Sequence, residues 1–327
     1  MPANLTPVYR EAEAKYKAAV TREEKIAGLE EMLRTIPKHK GTEHLQADLR
    51  SRLSKLKQAP KKKGPTKGPS HKIPKEGAGQ VALVGPPNSG KSSLVAALTN
   101  ASPETAPYPM TTLKALPGMM PHEDVGFQLV DLPPLCHEHV EPWVYDLIRG
   151  ADLVWLVLSA KAPLQGLELV EELLAKRAIG LFGAGTEAPS APRPGWTYKG
   201  TLMVATGMDL PGAGDDLDAL RELVELPWPE VRVSTVSGQG MNQLGPSTFR
   251  ALDIIRVYSK EPRKDPDLTR PFTLPRGSTV EDLAKAIHKE IAQGIRFARV
   301  WGPSTFDGQS VQEHHVLQEG DVVEIHS

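Results

Sequence analysis

The chain has 327 residues, of which 39% are hydrophobic and 24% charged, with a formal net charge of −1. That length accommodates two or three compact domains, and the composition is that of a globular chain rather than a disordered one. The near-neutral balance excludes a surface coated in nucleic acid, the single cysteine Cys136 excludes an intrachain disulfide framework, and no apolar run nears the roughly 18 residues that span a bilayer.

The N-terminal residues Met1 to Leu5 lack a basic segment followed by an apolar core, so no secretory signal is read there. With the lone cysteine, this sets the expectation of a cytoplasmic protein. Residues 1–58 read as helices. Thr6-Pro7 pairs an N-cap with a proline at the first helical position, where its missing N–H costs nothing. Thr21 and Glu24 have capping-box spacing, and Ile26, Leu29 and Leu33 follow at helical intervals. Leu45, Leu49, Leu53 and Leu56 form a further stripe on one face. Such stripes read as the buried side of a helical hairpin; the alternative is a face for a regulatory protein partner.

Residues 59–79 are rich in Lys, Pro and Gly and nearly free of large apolar groups. A segment of this kind buries too little surface to offset its ordering entropy and reads as a mobile linker. Its lysines are also candidates for contact with RNA phosphates. Residues 80–250 then alternate apolar strands with helical patterns. The candidate strands are Gln80–Val84, Gly126–Asp131, Asp152–Leu158, Thr201–Ala205 and Glu230–Ser234. This alternation predicts an α/β fold with a mainly parallel sheet flanked by helices, whose ligand binds at the carboxyl ends of the strands. Between Lys176 and Lys199 the Gly- and Pro-rich stretch reads as an irregular, flexible insertion. Residues 251–327 form a smaller mixed unit: strands at Ile254–Tyr258, Pro271–Leu274, Phe297–Trp301 and Val322–His326, with a helix over Val280–Ile291.

The chemistry concentrates in the first βα turn. Gly85-Pro86-Pro87-Asn88-Ser89-Gly90-Lys91-Ser92 follows a strand and opens a helix, the context that gives this spacing meaning. Its glycines let backbone N–H groups curl around phosphates at the positive helix end. Pro87, Asn88, Ser89, Gly90, Lys91, Ser92 and Ser93 are therefore the expected phosphate-binding run. Lys91 reaches the β- and γ-phosphates, and the Ser92 hydroxyl ligates Mg²⁺. Downstream, Thr112 is placed to join Mg²⁺ when a γ-phosphate is present, and Asp131, ending a strand, is the expected acidic Mg²⁺ partner. Lys91, Thr112 and Asn88 make up the candidate catalytic set. For the base, the Asp209 carboxylate would accept from N1–H and the 2-amino group of guanine, a donor pair that adenine lacks. Thr206 precedes it. Ser234, Thr235 and Val236, leaving the next strand, offer backbone contacts to the guanine carbonyl.

The ensemble resembles the Obg-type GTPase superfamily, and within it the developmentally regulated GTP-binding proteins. The similarity spans nearly the whole chain. It rests on Tyr108-Pro109-Met110-Thr111-Thr112, on Ile255-Arg256-Val257-Tyr258 and on Leu274 to Asp282. Ala298-Arg299-Val300-Trp301-Gly302 and Gly320-Asp321-Val322-Val323 complete it and resemble a TGS domain, a small ubiquitin-like β-grasp module. Ile36 to Leu45 is similar to the family's N-terminal helical extension. The resemblance implies binding and slow Mg²⁺-dependent hydrolysis of GTP by a translation- or ribosome-associated factor, with RNA or the ribosome met through the Lys-rich linker and the TGS domain. It also implies K⁺ as a second cation, because related K⁺-dependent GTPases hold one with an asparagine at the position of Asn88.

The chain departs from the family at four places. Where the family has Asp-x-Pro-Gly, it carries Asp131-Leu132-Pro133-Pro134, and proline has no N–H to give a γ-phosphate. The family's glycine-rich stretch after this point is replaced by Leu135-Cys136-His137-Glu138-His139. Leu135 stands where Ras-like proteins carry a water-positioning glutamine, a position where the family itself accepts an apolar residue. His137 and Glu138 remain as substitutes or as plain exposed switch residues. Thr206-Gly207-Met208-Asp209 lacks the lysine whose stem covers the base. The family's inserted domain is reduced to the loop near 180–198. These departures keep a second expectation open, a guanine-nucleotide-binding adaptor that neither switches nor hydrolyses.

Overall fold

The computed structural model describes residues 6–18, 22–37, 42–58, 73–99, 115–138 and 140–326. The chain divides into two units, Met1–Ser70 and His71–Ser327.

The first unit holds three helices, α1 (Pro7–Ala18), α2 (Arg22–Thr35) and α3 (Glu43–Gln58), one for each of the helical segments read from the sequence. The Thr6 hydroxyl accepts from the Tyr9 N–H at 3.3 Å, so the N-cap forms. Tyr9 and Ala12 of α1, Leu29 and Met32 of α2, and Leu49 of α3 bury together with Ile36. The capping box at Thr21 lies outside the described residues, as does the linker from 59 to 72.

The second unit opens on chain expected to be linker. Ile73 packs against the core, the Pro74 carbonyl accepts from Gln128 Nε2 at 3.0 Å, and Lys75 pairs with Asp152. Described packing of this unit thus includes residues 73–75, which the sequence places in the linker. A seven-stranded sheet follows, in the order β2-β3-β1-β4-β6-β5, with β7 beside β6. Its strands are β1 (Gly79–Val84), β2 (Leu116–His122), β3 (Val125–Asp131), β4 (Leu153–Ser159), β5 (Ile179–Gly183), β6 (Thr197–Thr206) and β7 (Glu230–Arg232). All pairs are parallel except β2–β3. The helices are α4 (Lys91–Leu98), α5 (Pro142–Gly150), α6 (Pro163–Ala175), α7 (Ala213–Leu223) and α8 (Leu244–Leu252).

Central strands covered on both faces read as continuous apolar runs, because alternate residues enter opposite cores. Ala82, Val84, Leu156 and Leu158 join one core with residues of α5, α6 and α7. Val81, Leu83, Trp155 and Val157 join the other with residues of α4 and α8. Two strands of this sheet were not expected. β2 carries two prolines and lies at the sheet edge, where a missing N–H is tolerated. β5 lies within the stretch expected to be irregular and pairs with the first half of β6, while β7 pairs with the second half.

The remaining strands are β8 (Ile254–Ser259), β9 (Phe272–Pro275), β10 (Phe297–Trp301), β11 (Gln309–Val311) and β12 (Asp321–His326). They form a second sheet in the order β11-β10-β12-β8-β9, in which only β12–β8 is parallel. The expected helix over 280–291 is broken into α9 (Val280–Ile287) and α10 (Lys289–Gly294), since His288 is extended at φ −165°. Thr279 and Asp282 form a reciprocal capping box at the start of α9, and Val280, Leu283 and Ala284 bury against Ile255, Val257, Ala298 and Val300. This is a β-grasp.

Candidate nucleotide site

The carboxyl ends of β1, β3 and β6 converge on the turn between β1 and α4. Two glycines shape that turn by geometry. A Cβ on Gly85 would sit 2.2 Å from the Val157 carbonyl, so only glycine lets the loop pass this close to β4, and Gly90 is left-handed at φ 87°. Asn88 is also left-handed at φ 60°, a conformation asparagine adopts more readily than most residues. No described side chain caps α4, so its first N–H groups keep their capacity for an anion.

Lys91 opens α4 with only 6% of its surface exposed. Its ammonium donates to the carbonyls of Gly85 at 3.1 Å and Pro86 at 2.8 Å and to Ser89 Oγ at 3.1 Å. Burial pushes its pKa down to about 8, against the opposing pull of Asp131. Ser92 Oγ donates to Asp131 Oδ2 at 2.6 Å, which brings the two described Mg²⁺ candidates together. Asp131 Oδ1 is buried and has no hydrogen-bond partner among the described residues. A buried carboxylate oxygen without a donor is costly, and a hydrated cation beside Ser92 would satisfy it. The donor set of one hydroxyl and one carboxylate matches Mg²⁺, which takes few protein oxygens and completes its shell with phosphates and water. Ser93 is exposed at the next position. Thr112 lies outside the described residues.

At the base end, Thr206 Oγ1 donates to the Ser89 carbonyl at 2.8 Å. Thr206 therefore buttresses the phosphate loop from β6. Ser234 is fully buried; its hydroxyl donates to Asp209 Oδ1 at 2.5 Å and accepts from the N–H groups of Val236 and Ser237 at 3.1 and 3.0 Å. This holds the exposed Asp209 carboxylate against the turn after β7. Thr235 and Val236 are exposed in that turn. Gly207, where the family carries lysine, is left-handed at φ 77°, so this backbone favours glycine over a long side chain.

The segment after β3 is pinned rather than loose. The Leu135 N–H donates to the Gly85 carbonyl at 3.1 Å, and the Leu135 side chain is 1% exposed within the core beside Leu132 and Val144. Pro134 is exposed. His137 turns to α6, with Nε2 3.9 Å from Glu172, and Glu138 is exposed.

A phosphate loop, an acidic strand end and a carboxylate two strands away, arrayed on a parallel sheet, define a P-loop GTPase domain, here followed by a β-grasp. Comparison with known proteins agrees. The family model described as 50S ribosome-binding GTPase matches residues 80–182, and the TGS domain model matches residues 255–327. An uncharacterized GTP-binding protein of Halobacterium salinarum is 31% identical over 93% of this chain and 98% of its own length. Developmentally-regulated G-protein 1 of Arabidopsis thaliana is 27% identical over 92% of this chain and 90% of its own. Among solved structures, the YchF GTPase of Schizosaccharomyces pombe shares the fold, at 13% identity and a TM-score of 0.53, over 78% of this chain and all of the other. The chain belongs to the Obg-type GTP-binding proteins, the family of the developmentally regulated GTP-binding proteins.

Residues that reading the sequence missed lie where the β-grasp meets the GTPase sheet. Arg256 and Tyr258 of β8 reach Glu123 and Asp124, the two residues between β2 and β3. The segment Ile255 to Tyr258 stood out as a family motif, but nothing local to it signals partners some 130 residues away.

Proposed function

We propose that the protein binds GTP and GDP with Mg²⁺ and hydrolyses GTP slowly, as a cytoplasmic factor associated with translation or the ribosome. The observation that carries this reading is the Ser92–Asp131 contact with its unpartnered buried carboxylate oxygen, set beside a buried lysine at an uncapped helix start. Phosphate oxygens would replace the Gly85, Pro86 and Ser89 acceptors of Lys91, while Ser92 and Asp131 would hold Mg²⁺ directly and through water. The ion, when bound, neutralises charge developing on the β- and γ-phosphate oxygens. Asp209, oriented by Ser234, selects guanine. Asn88 is the residue of this loop that would favour K⁺, and Thr112 the one that would complete the metal site. No described helix is long and apolar enough to cross a membrane.

A second reading, a guanine-nucleotide-binding adaptor without a switch, is favoured by the pinning of Leu135 to Gly85 and by Pro134. The two are separated by fluorescent mant-GTP and mant-GDP affinities and single-turnover hydrolysis, with and without ribosomes, using Lys91→Ala as control. Preference for GTP with measurable turnover supports the switch. Equal affinities and no hydrolysis in either condition support the adaptor, and competition by ATP equal to that by GTP would remove guanine selection by Asp209.

A further inference from the structure

The turn between β2 and β3 is an unusual place for two acids. A two-residue hairpin turn favours Asn-Gly, Asp-Gly or Gly-Gly, because its central residues need positive φ. Here the turn is Glu123-Asp124, with Glu123 held left-handed at φ 52°. Both carboxylates meet one guanidinium. Arg256 Nη1 pairs with Glu123 and lies 2.6 Å from Asp124 Oδ1. Its Nε and its backbone N–H each donate to Glu319 at 2.7 Å. The guanidinium carbon lies 5.0 Å from the ring centre of Phe249 on α8, and the Tyr258 hydroxyl donates to Asp124 Oδ2. Arg256 is 18% exposed, so this is a partly desolvated network, where charge pairs count for more than at an open surface. Burial would lower the Arg256 pKa, yet its hydrogen bonds to Asp124, Glu123 and Glu319 hold it above its ordinary value. Burial and the bond to Asp124 push Tyr258 up to about 12.

The other end of the same hairpin enters the nucleotide site. β2 and β3 are paired rung by rung, from His122 opposite Val125 at the turn to Leu116 opposite Asp131. At that far end Asp131 receives the Ser92 hydroxyl, and Thr112 lies four residues before Leu116. A continuous antiparallel ladder carries displacement along its length, so the place where its turn is held bears on where Leu116 and Asp131 sit at its far end. We propose that Arg256, with Tyr258, is a positioning residue for the nucleotide site: by clamping Glu123 and Asp124 it couples the β-grasp sheet to the strand ends that meet Mg²⁺ and the γ-phosphate. This rests on the nucleotide-binding reading above. By linkage the coupling runs both ways, so a partner that pulls on the β-grasp alters the GTP-to-GDP preference, and nucleotide exchange alters the β-grasp contact.

The test compares mant-GTP and mant-GDP affinities of the full chain with those of Arg256→Ala, Arg256→Lys, Asp124→Asn and the Arg256→Ala/Asp124→Asn double variant. Arg276→Ala serves as control: it removes the 2.8 Å contact with Asp253 at the α8–β8 joint without touching the hairpin. The expected result is a change of about fivefold or more in the GTP-to-GDP affinity ratio for Arg256→Ala and for Asp124→Asn. The double variant should give no further change, Arg256→Lys a partial return, and Arg276→Ala an unchanged ratio. Hydrogen exchange on the unaltered chain gives a readout that survives a misfolded variant, since swapping GDP for a non-hydrolysable GTP analogue should change protection in Ile254–Ser259. An unchanged ratio in folded Arg256→Ala, or equal exchange of that strand with both nucleotides, reduces the cluster to an adhesive between domains. If the unaltered chain binds neither nucleotide, the nucleotide reading itself fails, and the clamp with it.

Discussion

The pH dependence of nucleotide binding follows from the surroundings of Lys91. Burial lowers its pKa to about 8, while phosphate oxygens favour its charged form and raise it once nucleotide is bound. Binding therefore takes up a proton once the pH passes about 8. On the free chain about nine-tenths of Lys91 is charged at pH 7 and about a quarter at pH 8.5, so GDP affinity should fall about fourfold across that interval. The range stops there to stay clear of the guanine N1 proton. Isothermal titration calorimetry at saturating Mg²⁺, at pH 8.5 in two buffers of different ionisation enthalpy, should report uptake of more than about half a proton per GDP bound. Lys91→Arg keeps its charge throughout and should show no uptake wherever it still binds. Constant affinity and zero uptake from pH 7 to 8.5 would refute the argument. The same shift acts on folding. Burying the charged form costs stability at pH values below about 8, and the cost is relieved as the pH rises from there toward the ordinary value of 10.5.

Two substitutions probe the segment after β3. Pro134→Gly restores the N–H that proline lacks, and a hydrogen bond to a charged group is worth about 1.5–3 kcal/mol. The GTP-over-GDP affinity ratio should therefore rise about tenfold or more by mant-nucleotide titration, and an unchanged ratio would mean that this position never faces the γ-phosphate. Leu135→Gln, which installs the Ras-like residue, should not create a better GTPase. It places an amide where the side chain is 1% exposed and should cost about 1–3 kcal/mol in urea unfolding, so an unchanged midpoint would show that the segment leaves the core freely.

The phosphate site was legible in the sequence because its determinants are local. Gly85 to Ser92 carries the turn, the helix start and the lysine within eight residues, and Asp131, Thr206, Asp209 and Ser234 each end a strand or follow one closely. What escaped was set by pairing across distance. β2 has two prolines, and β5, Ile179-Gly180-Leu181-Phe182-Gly183, has two glycines; both occupy positions where a neighbouring strand supplies what local propensity withholds. The break at His288 interrupts an unremarkable helical sequence. Family position marks Leu135 as a switch residue, while its apolar side chain marks it for the core, where it lies. Arg256 shows the opposite limit: its motif was visible, but its partners lie on another domain.

Together these contacts indicate which parts of the site nucleotide has to rearrange. Three neighbouring elements already brace the phosphate loop: Thr206 holds the Ser89 carbonyl, the Leu135 N–H holds the Gly85 carbonyl, and Asp131 holds the Ser92 hydroxyl. Of the loop's described side chains, Lys91 is the one whose bonds phosphate must replace, because the Gly85, Pro86 and Ser89 oxygens occupy its ammonium. A brace that is set before binding lowers the ordering cost of binding, and it does so equally for GDP and GTP. On the reading proposed above, discrimination between them falls on groups that meet the third phosphate, among them Lys91 and, through Mg²⁺, the end of β3. The end of β3 is the far end of the hairpin whose turn Arg256 grips, so on that reading the hairpin offers γ-phosphate sensing a route that needs no N–H from Pro134.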